Sequence, residues 1–266
     1  MAEEQIRLRA TFDEVALLYD AARPGYPEAL FDNVVALSGI PPGGRILEIG
    51  CGTGQATLPF ARRGYRILCI ELGENLAAVA RHKLRAYPGA DVRTGAFEEW
   101  RVEGAAVDLA ISATAFHWLD PAVAYPKTAR ALKSGGAIAL FWNLHVQSEA
   151  DPGFFEEVQT IYERETPELT RGYTPLRRPD DEPEPVREEI ERTGLFGPVT
   201  VRRYPWDLQY DAASYLRVLD TYSGHRTLDS YARERLYQRI ANLIDTTYNG
   251  RITKGYLTIL YVAHRK

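Results

Sequence analysis

Arg45-Ile46-Leu47-Glu48-Ile49-Gly50-Cys51-Gly52-Thr53-Gly54 decides the fold. Five mainly apolar residues run into three alternating glycines, and residues 55–62 then carry a helical pattern. A buried strand, a glycine-rich turn and a helix form the opening unit of an open α/β sheet, which binds ligands at the carboxyl ends of its strands. The glycines let the backbone turn tightly and let a ligand approach without a Cβ in its way.

Upstream, Pro41-Pro42-Gly43-Gly44 is a hard stop before the strand. Phe12, Val15, Ala16 and Tyr19 form one helical stripe within residues 11–20. Arg23-Pro24-Gly25-Tyr26-Pro27 breaks that helix, and Pro27 suits the start of a second over 28–37. Downstream, the pattern gives strand 66–70, helix 76–84, strands 91–94 and 107–112, helix 121–132 and strand 137–142. Short apolar strands separated by helices predict a parallel sheet covered on both faces. After Trp142 come helices over 153–165, 186–193, 212–219 and 230–244, a strand over 199–204, and a last strand over 256–265. The proline- and charge-rich stretch 166–185 is a connecting loop, either a passive linker or a flap.

The expected fold class is α/β: a Rossmann-like, mostly parallel seven-stranded sheet with helices on both faces, its last strand antiparallel, plus a helical cap. One domain over 1–266 would comprise N-terminal helices (1–40), a cofactor-binding core (41–143), helical cap or substrate insertions (144–198 and 207–250) and the last strands (199–206 and 256–265).

Composition narrows the function. The 266 residues, 45% of them hydrophobic, can bury a core without staples. A net charge of -4, with acids interrupting basic pairs such as Arg62-Arg63, argues against a nucleic-acid partner. Two cysteines, Cys51 and Cys69, make no disulfide framework, and five scattered histidines lack metal-ligand spacing, so no metal is expected. No apolar run is long enough for a bilayer, and the charged start MAEEQIRLRA lacks the apolar core of a secretory signal. The expectation is a cytoplasmic protein with no membrane partner; the sequence leaves the oligomeric state unknown.

The turn also selects its ligand. A dinucleotide site would carry G-x-G-x-x-G, its third glycine permitting close helix packing beside a pyrophosphate. Here the spacing is G-x-G-x-G, with Glu48 two residues before Gly50. A carboxylate is awkward beside a pyrophosphate and favourable near the ammonium and sulfonium of S-adenosylmethionine. Glu71, followed by Leu72, closes the second strand, where a carboxylate can accept hydrogen bonds from both ribose hydroxyls. The expected activity is methyl transfer from S-adenosylmethionine to a small molecule. The alternatives are a nicotinamide-dependent oxidoreductase and a non-catalytic S-adenosylmethionine-binding module.

The motif ILEIGCGTGQAT, with Lys133-Ser134-Gly135-Gly136 before the fifth strand, resembles the class I S-adenosylmethionine-dependent methyltransferases from Ile46 to Trp142. Tyr19-Asp20 with Arg23-Pro24-Gly25-Tyr26-Pro27, then Ala115-Phe116-His117-Trp118-Leu119-Asp120, then Thr221-Tyr222-Ser223, resemble the trans-aconitate methyltransferase type, especially its fungal branch. The resemblance implies that the Gly50–Gly54 turn, Cys51 and Gly52 included, cradles the cofactor. It implies that the carbonyls of Gly50 and of Ala113 or Thr114 hold the methionine amine. The family's acidic adenine contact falls in Gly95-Ala96-Phe97-Glu98, where Ala96 replaces the acid. The Ala96 and Phe97 backbone, with Phe97 or Trp100 as an apolar wall, is then expected to serve instead.

On the acceptor side, a carboxylate is already ionised near neutral pH and needs no base, whereas a phenol or amine would benefit from one. His117 is a general base, an orienting donor or a loop histidine. Trp118 is a cofactor wall or a core residue, and Tyr19 a core residue or a lid over the methionine end. Arg23 has the planar fork that grips carboxylates, with the methionine carboxylate, an acidic substrate or a salt bridge as its target. Tyr222, grouped with His117 and Arg23 as catalytic, lies with Ser223, His225 and Arg226 in a segment that either caps the acceptor or merely joins two helices. Trp142 and Asn143 complete the pocket candidates.

Overall fold

The glycine turn follows strand β1 (Arg45–Ile49), which pairs in parallel with β2 (Arg66–Glu71) and β4 (Val107–Ala113). Strand β3 (Ala90–Thr94) adds beyond β2, and β5 (Leu132–Val146) adds beyond β4, both parallel. The far edge is antiparallel: β7 (Arg251–His264) pairs with β5, and β6 (Thr200–Asp211) pairs with β7. The order β3-β2-β1-β4-β5-β7-β6 winds outward in both directions from β1 and β4, and that switch point opens a crevice at the strands' carboxyl ends. This is the Rossmann-like architecture that the alternation predicts. The structure, a computed structural model, describes residues 13–266, so Thr11 and Phe12 of the predicted first helix lie outside the described residues.

Helices α1 (Ala16–Ala22), α2 (Glu28–Ser38), α3 (Thr57–Arg62), α4 (Glu74–Leu84), α5 (Pro121–Ala131), α6 (Phe154–Glu165) and α7 (Pro185–Arg192) precede β6. Helices α8 (Ala212–Leu219), α9 (Ser223–Arg226) and α10 (Ser230–Thr247) follow it. Successive strand side chains point to opposite faces, so one strand feeds two cores. In β5, Ala137, Ala139 and Phe141 pack with Phe31 of α2, Phe60 of α3 and Ala80 of α4. Ile138 and Leu140 face the other way, onto Tyr125 of α5 and Ile190 of α7. A third core, built on Phe154, Tyr215, Leu236, Ile240 and Tyr256, lies inside the helical cap. No helix among the described residues is long and apolar enough to cross a membrane.

The last three strands run longer than the sequence pattern predicts. Residues 207–211, expected in the cap, are strand, so the second insertion starts at Ala212. Trp206 fixes this extension: its ring stacks on Tyr256 at 4.9 Å and its indole N–H donates to Thr258 Oγ1 at 2.9 Å. Pro205 is tolerated because β6 is an edge strand. β7 begins at Arg251 rather than Tyr256, and β5 continues past Trp142 to Val146, paired with Gly255. An arm of β5, β7 and β6 thus projects past the parallel strands on the crevice side and carries the cap. Stretch 166–185 is held to this arm: Gln147 N–H donates to the Arg177 carbonyl at 2.9 Å, and Arg203 donates to the Glu182 carbonyl at 3.1 Å.

Candidate active site

All three glycines of the turn have positive φ: Gly50 at 70°, Gly52 at 55° and Gly54 at 79°. That backbone costs an L-residue about 1–2 kcal/mol. Their surroundings separate their roles. A Cβ on Gly50 would stand 2.6 Å from Ala115 Cβ, and one on Gly54 would stand 3.5 Å from Ala80 Cβ on α4. A Cβ on Gly52 would meet nothing within 4 Å. Gly50 and Gly54 therefore seat the turn against the protein, while Gly52 adjoins open space.

That space belongs to a cavity of about 280 Å³ at the carboxyl ends of the strands. Gly50, Cys51 and Gly52 form its floor, and Glu71 with Leu72 one side. Phe97 closes the end near β3, Ala113 and Thr114 the end of β4, and His117 and Trp118 follow them on the wall. Tyr19 and Arg23 reach it from α1 and the residue after it. Of the residues singled out from sequence, Glu48, Gly54, Ala96 and Tyr222 do not line it, and neither do the further candidates Trp100, Trp142, Asn143, Ser223, His225 and Arg226. Tyr26, Gln55, Leu76 and Leu119 do line it, and periodicity alone gave no signal for them.

Glu48 shares the Ile46 face of β1, so its carboxylate turns into the protein rather than toward the cavity. It is fully buried, Cys69 Sγ donates to Oε2 at 3.8 Å, and Oε1 has no hydrogen-bond partner among the described residues. Burial pushes its carboxyl pKa up to about 7. The expected direct attraction between Glu48 and a bound ammonium thus has no geometric basis. Glu71 is different. Its Oε2 accepts from Gly52 N–H at 2.7 Å and its Oε1 from Gly73 N–H at 2.9 Å. Burial raises its pKa, and these amides oppose the rise. Each carboxylate oxygen can accept a further hydrogen bond, and Glu71 lines the cavity.

Thr114 holds φ at 52°, strained for a β-branched residue. Its N–H donates to the Phe141 carbonyl at 2.8 Å, and its hydroxyl bonds Tyr26 at 2.9 Å. His117 accepts the Trp142 indole N–H at Nδ1, 3.0 Å away. Desolvation lowers its pKa, so at neutral pH the ring is uncharged with its proton on Nε2.

Arg23 donates from Nε to Thr221 Oγ1 at 2.7 Å and from Nη2 to the Thr221 carbonyl at 3.2 Å. Its guanidinium lies 4.3 Å from the Tyr222 ring centroid and 5.1 Å from that of Tyr19. These contacts tie the N-terminal segment to the cap, as does Asn143 donating to the Gly25 carbonyl at 2.8 Å. Tyr222 sits behind Arg23. His225 bonds Tyr162 at 2.7 Å within the cap and Arg226 pairs with Asp220, so neither faces the cavity.

The sequence of residues 47–140 matches the family profile described as a methyltransferase domain. An uncharacterized methyltransferase of Mycobacterium tuberculosis is 29% identical over 192 residues, covering 71% of this chain and 72% of the relative. An uncharacterized methyltransferase-like protein of Schizosaccharomyces pombe is 34% identical over 141 residues, 53% of this chain and 54% of the relative. The matched domain and these relatives support S-adenosylmethionine-dependent methyl transfer as the chain's activity. Among solved structures, a candidate type II methyltransferase from Anaeromyxobacter dehalogenans aligns with a TM-score of 0.60 at 23% identity, over 91% of this chain and 97% of that one. This likeness supports the fold. The methyltransferase match sets the nicotinamide alternative aside.

Proposed function

We propose that the cavity holds S-adenosylmethionine and that the methyl group is transferred to a carboxylate of a small organic acid. The side chains fit such a cofactor: a bare Gly52 on the floor, a buried carboxylate at Glu71 and apolar walls at Leu72 and Phe97. In this reading Glu71 accepts the ribose hydroxyls. The carbonyls of Gly50 and of Ala113 or Thr114 receive the methionine amine, with Tyr19 and Trp118 covering that end. When bound, S-adenosylmethionine supplies an electrophilic methyl group on a sulfonium. The chain's own work is to align the acceptor behind it and to exclude water.

The pairing of His117 Nδ1 with the Trp142 indole carries the choice of acceptor. The nitrogen that could take a proton is already filled, so His117 can only donate, from Nε2. Glu71 is engaged by two backbone amides, and burial raises the Tyr19 pKa. Among the described residues the cavity therefore lacks a ready general base, and an acceptor already ionised near neutral pH needs none. Arg23, with N–H groups beyond the two that Thr221 takes, supplies the opposite charge. The resemblance to the trans-aconitate methyltransferase type supports the same acceptor class.

The test is transfer of methyl-labelled S-adenosylmethionine to a panel of mono-, di- and tricarboxylates, phenols and amines. Base-labile methyl esters are the expected products. Label appearing only on phenols or amines would overturn the reading.

A further inference from the structure

Behind Arg23 the cap buries a second cation. Lys254 is 2% exposed, and no acidic side chain among the described residues pairs with it or with Arg23. Its ammonium lies 5.3–5.8 Å from the ring centroids of Tyr256, Tyr215, Tyr222 and Phe155. Its one hydrogen bond among the described residues is to Tyr222 Oη at 3.3 Å, and that hydroxyl also meets His145 Nε2 at 3.1 Å. From the cavity inward the order is Arg23, the Tyr222 ring, then Lys254 and His145. A buried lysine without a counter-charge is costly, and aromatic faces offset that cost only in part. Among the described residues the cluster is thus a pair of cations without an anion, and the cavity beside Arg23 is where one can enter.

We propose that Arg23, Tyr222 and Lys254 form the subsite for an oxyanion of the acceptor that is not methylated, a carboxylate or a phosphate, with Arg23 in contact and Lys254 a positioning residue acting through Tyr222. This rests on the acidic-acceptor reading above and deepens it to an acceptor with two anionic groups. A carboxylate clamped by cations is a poor nucleophile, so the group held here is the one that keeps its charge while a second oxyanion attacks.

The groups facing Lys254 are Arg23, His145 of β5, Tyr222, His225 of α9, Tyr215 of α8 and Tyr256 of β7 itself. None is acidic. Burial, with Arg23 adding to it, brings the Lys254 pKa down to about 7. An anion at Arg23 favours the charged ammonium and draws a proton onto Lys254 as it binds.

The test is calorimetry of the full chain loaded with S-adenosylhomocysteine, at pH 8, in two buffers of different ionisation enthalpy. The probes are succinate, inorganic phosphate and neutral succinamide. The expected result is that succinate or phosphate binds with proton uptake and succinamide does not. Lys254→Met should bind the anion at least tenfold more weakly and without uptake, and Lys254→Arg should recover affinity. Tyr222→Phe, which keeps the ring and loses the hydroxyl, should also bind more weakly, a second readout if Lys254→Met does not fold. Unchanged affinity and unchanged proton uptake in Lys254→Met and Tyr222→Phe overturn the subsite alone. Binding of S-adenosylhomocysteine with no binding of either anion overturns the acidic-acceptor reading as well.

Discussion

Valine at position 52 tests the seating of the cofactor. Gly52→Val places a branched side chain at a φ of 55°, in space where nothing stands within 4 Å. The backbone strain is about 1–2 kcal/mol. At roughly 2–4 °C per kcal/mol for a chain of this size, that lowers Tm by about 2–8 °C and leaves the protein folded. Wild type at a hundredfold excess of S-adenosylhomocysteine over Kd gains about 2.7 kcal/mol, a rise of roughly 5–11 °C. Gly52→Val should show no such rise, because its methyl groups fill the space the ligand needs. Gly50→Ala is the contrast, since its Cβ would lie 2.6 Å from Ala115 Cβ. Overpacking there adds about 1–3 kcal/mol to the same strain, so Gly50→Ala should melt below Gly52→Ala without any ligand. Fluorescence-monitored melting with and without S-adenosylhomocysteine measures both effects. A Gly52→Val protein that still gains the wild-type rise would refute the seating of the cofactor against residue 52.

Three further expectations follow from the same geometry. Glu71→Ala removes a charged acceptor worth about 1.5–3 kcal/mol for one hydrogen bond, so S-adenosylhomocysteine should bind at least roughly 10- to 150-fold more weakly; an unaltered calorimetric Kd would contradict the ribose assignment. Glu48 holds its proton more tightly folded, at about 7, than its ordinary 4.5, so its favourable contribution is complete below pH 4.5 and is lost as pH rises through 7. Glu48→Gln cannot ionise and should therefore be more stable than wild type at pH 8, by on the order of 1–3 kcal/mol, with the gap closing toward pH 5; coincident urea curves at pH 8 would count against the buried charge. Trp142→Phe frees His117 Nδ1 to take a proton, so the rate should gain an acid limb, set below the ordinary histidine range because the burial that lowers the His117 pKa remains, and an unchanged pH–rate profile would show that the indole does not control the tautomer.

The parallel half was legible because its strands are buried on both faces. Arg45–Ile49 and Val107–Ala113 carry nearly unbroken apolar runs between turn residues, and β1 has the predicted boundaries. The antiparallel arm was harder to read, since Trp206-Asp207-Leu208-Gln209-Tyr210 sits at an edge and carries polar residues on its open side. The glycine turn pointed to the cavity because glycine reports backbone conformation directly. Glu48 misled because residue type does not say toward which face of a strand a side chain turns. Lys254 gave no signal at all: its burial depends on aromatic residues from α6, α8 and the segment before α9, brought together only by the cap's packing.

The projecting arm of β5, β7 and β6 bears on how such an enzyme can change its substrate over time. Residues 147–199 and 212–250 both leave the arm and return to it. Each can be lengthened, shortened or exchanged while the ladder from Ala137↔His264 to Val146↔Gly255 stays intact and the glycine turn, on strands deeper in the sheet, is untouched. The arm works as a socket: one fixed methyl-donating half can accept interchangeable caps, and a chimera that trades only these two segments should trade acceptor preference and keep its affinity for S-adenosylmethionine.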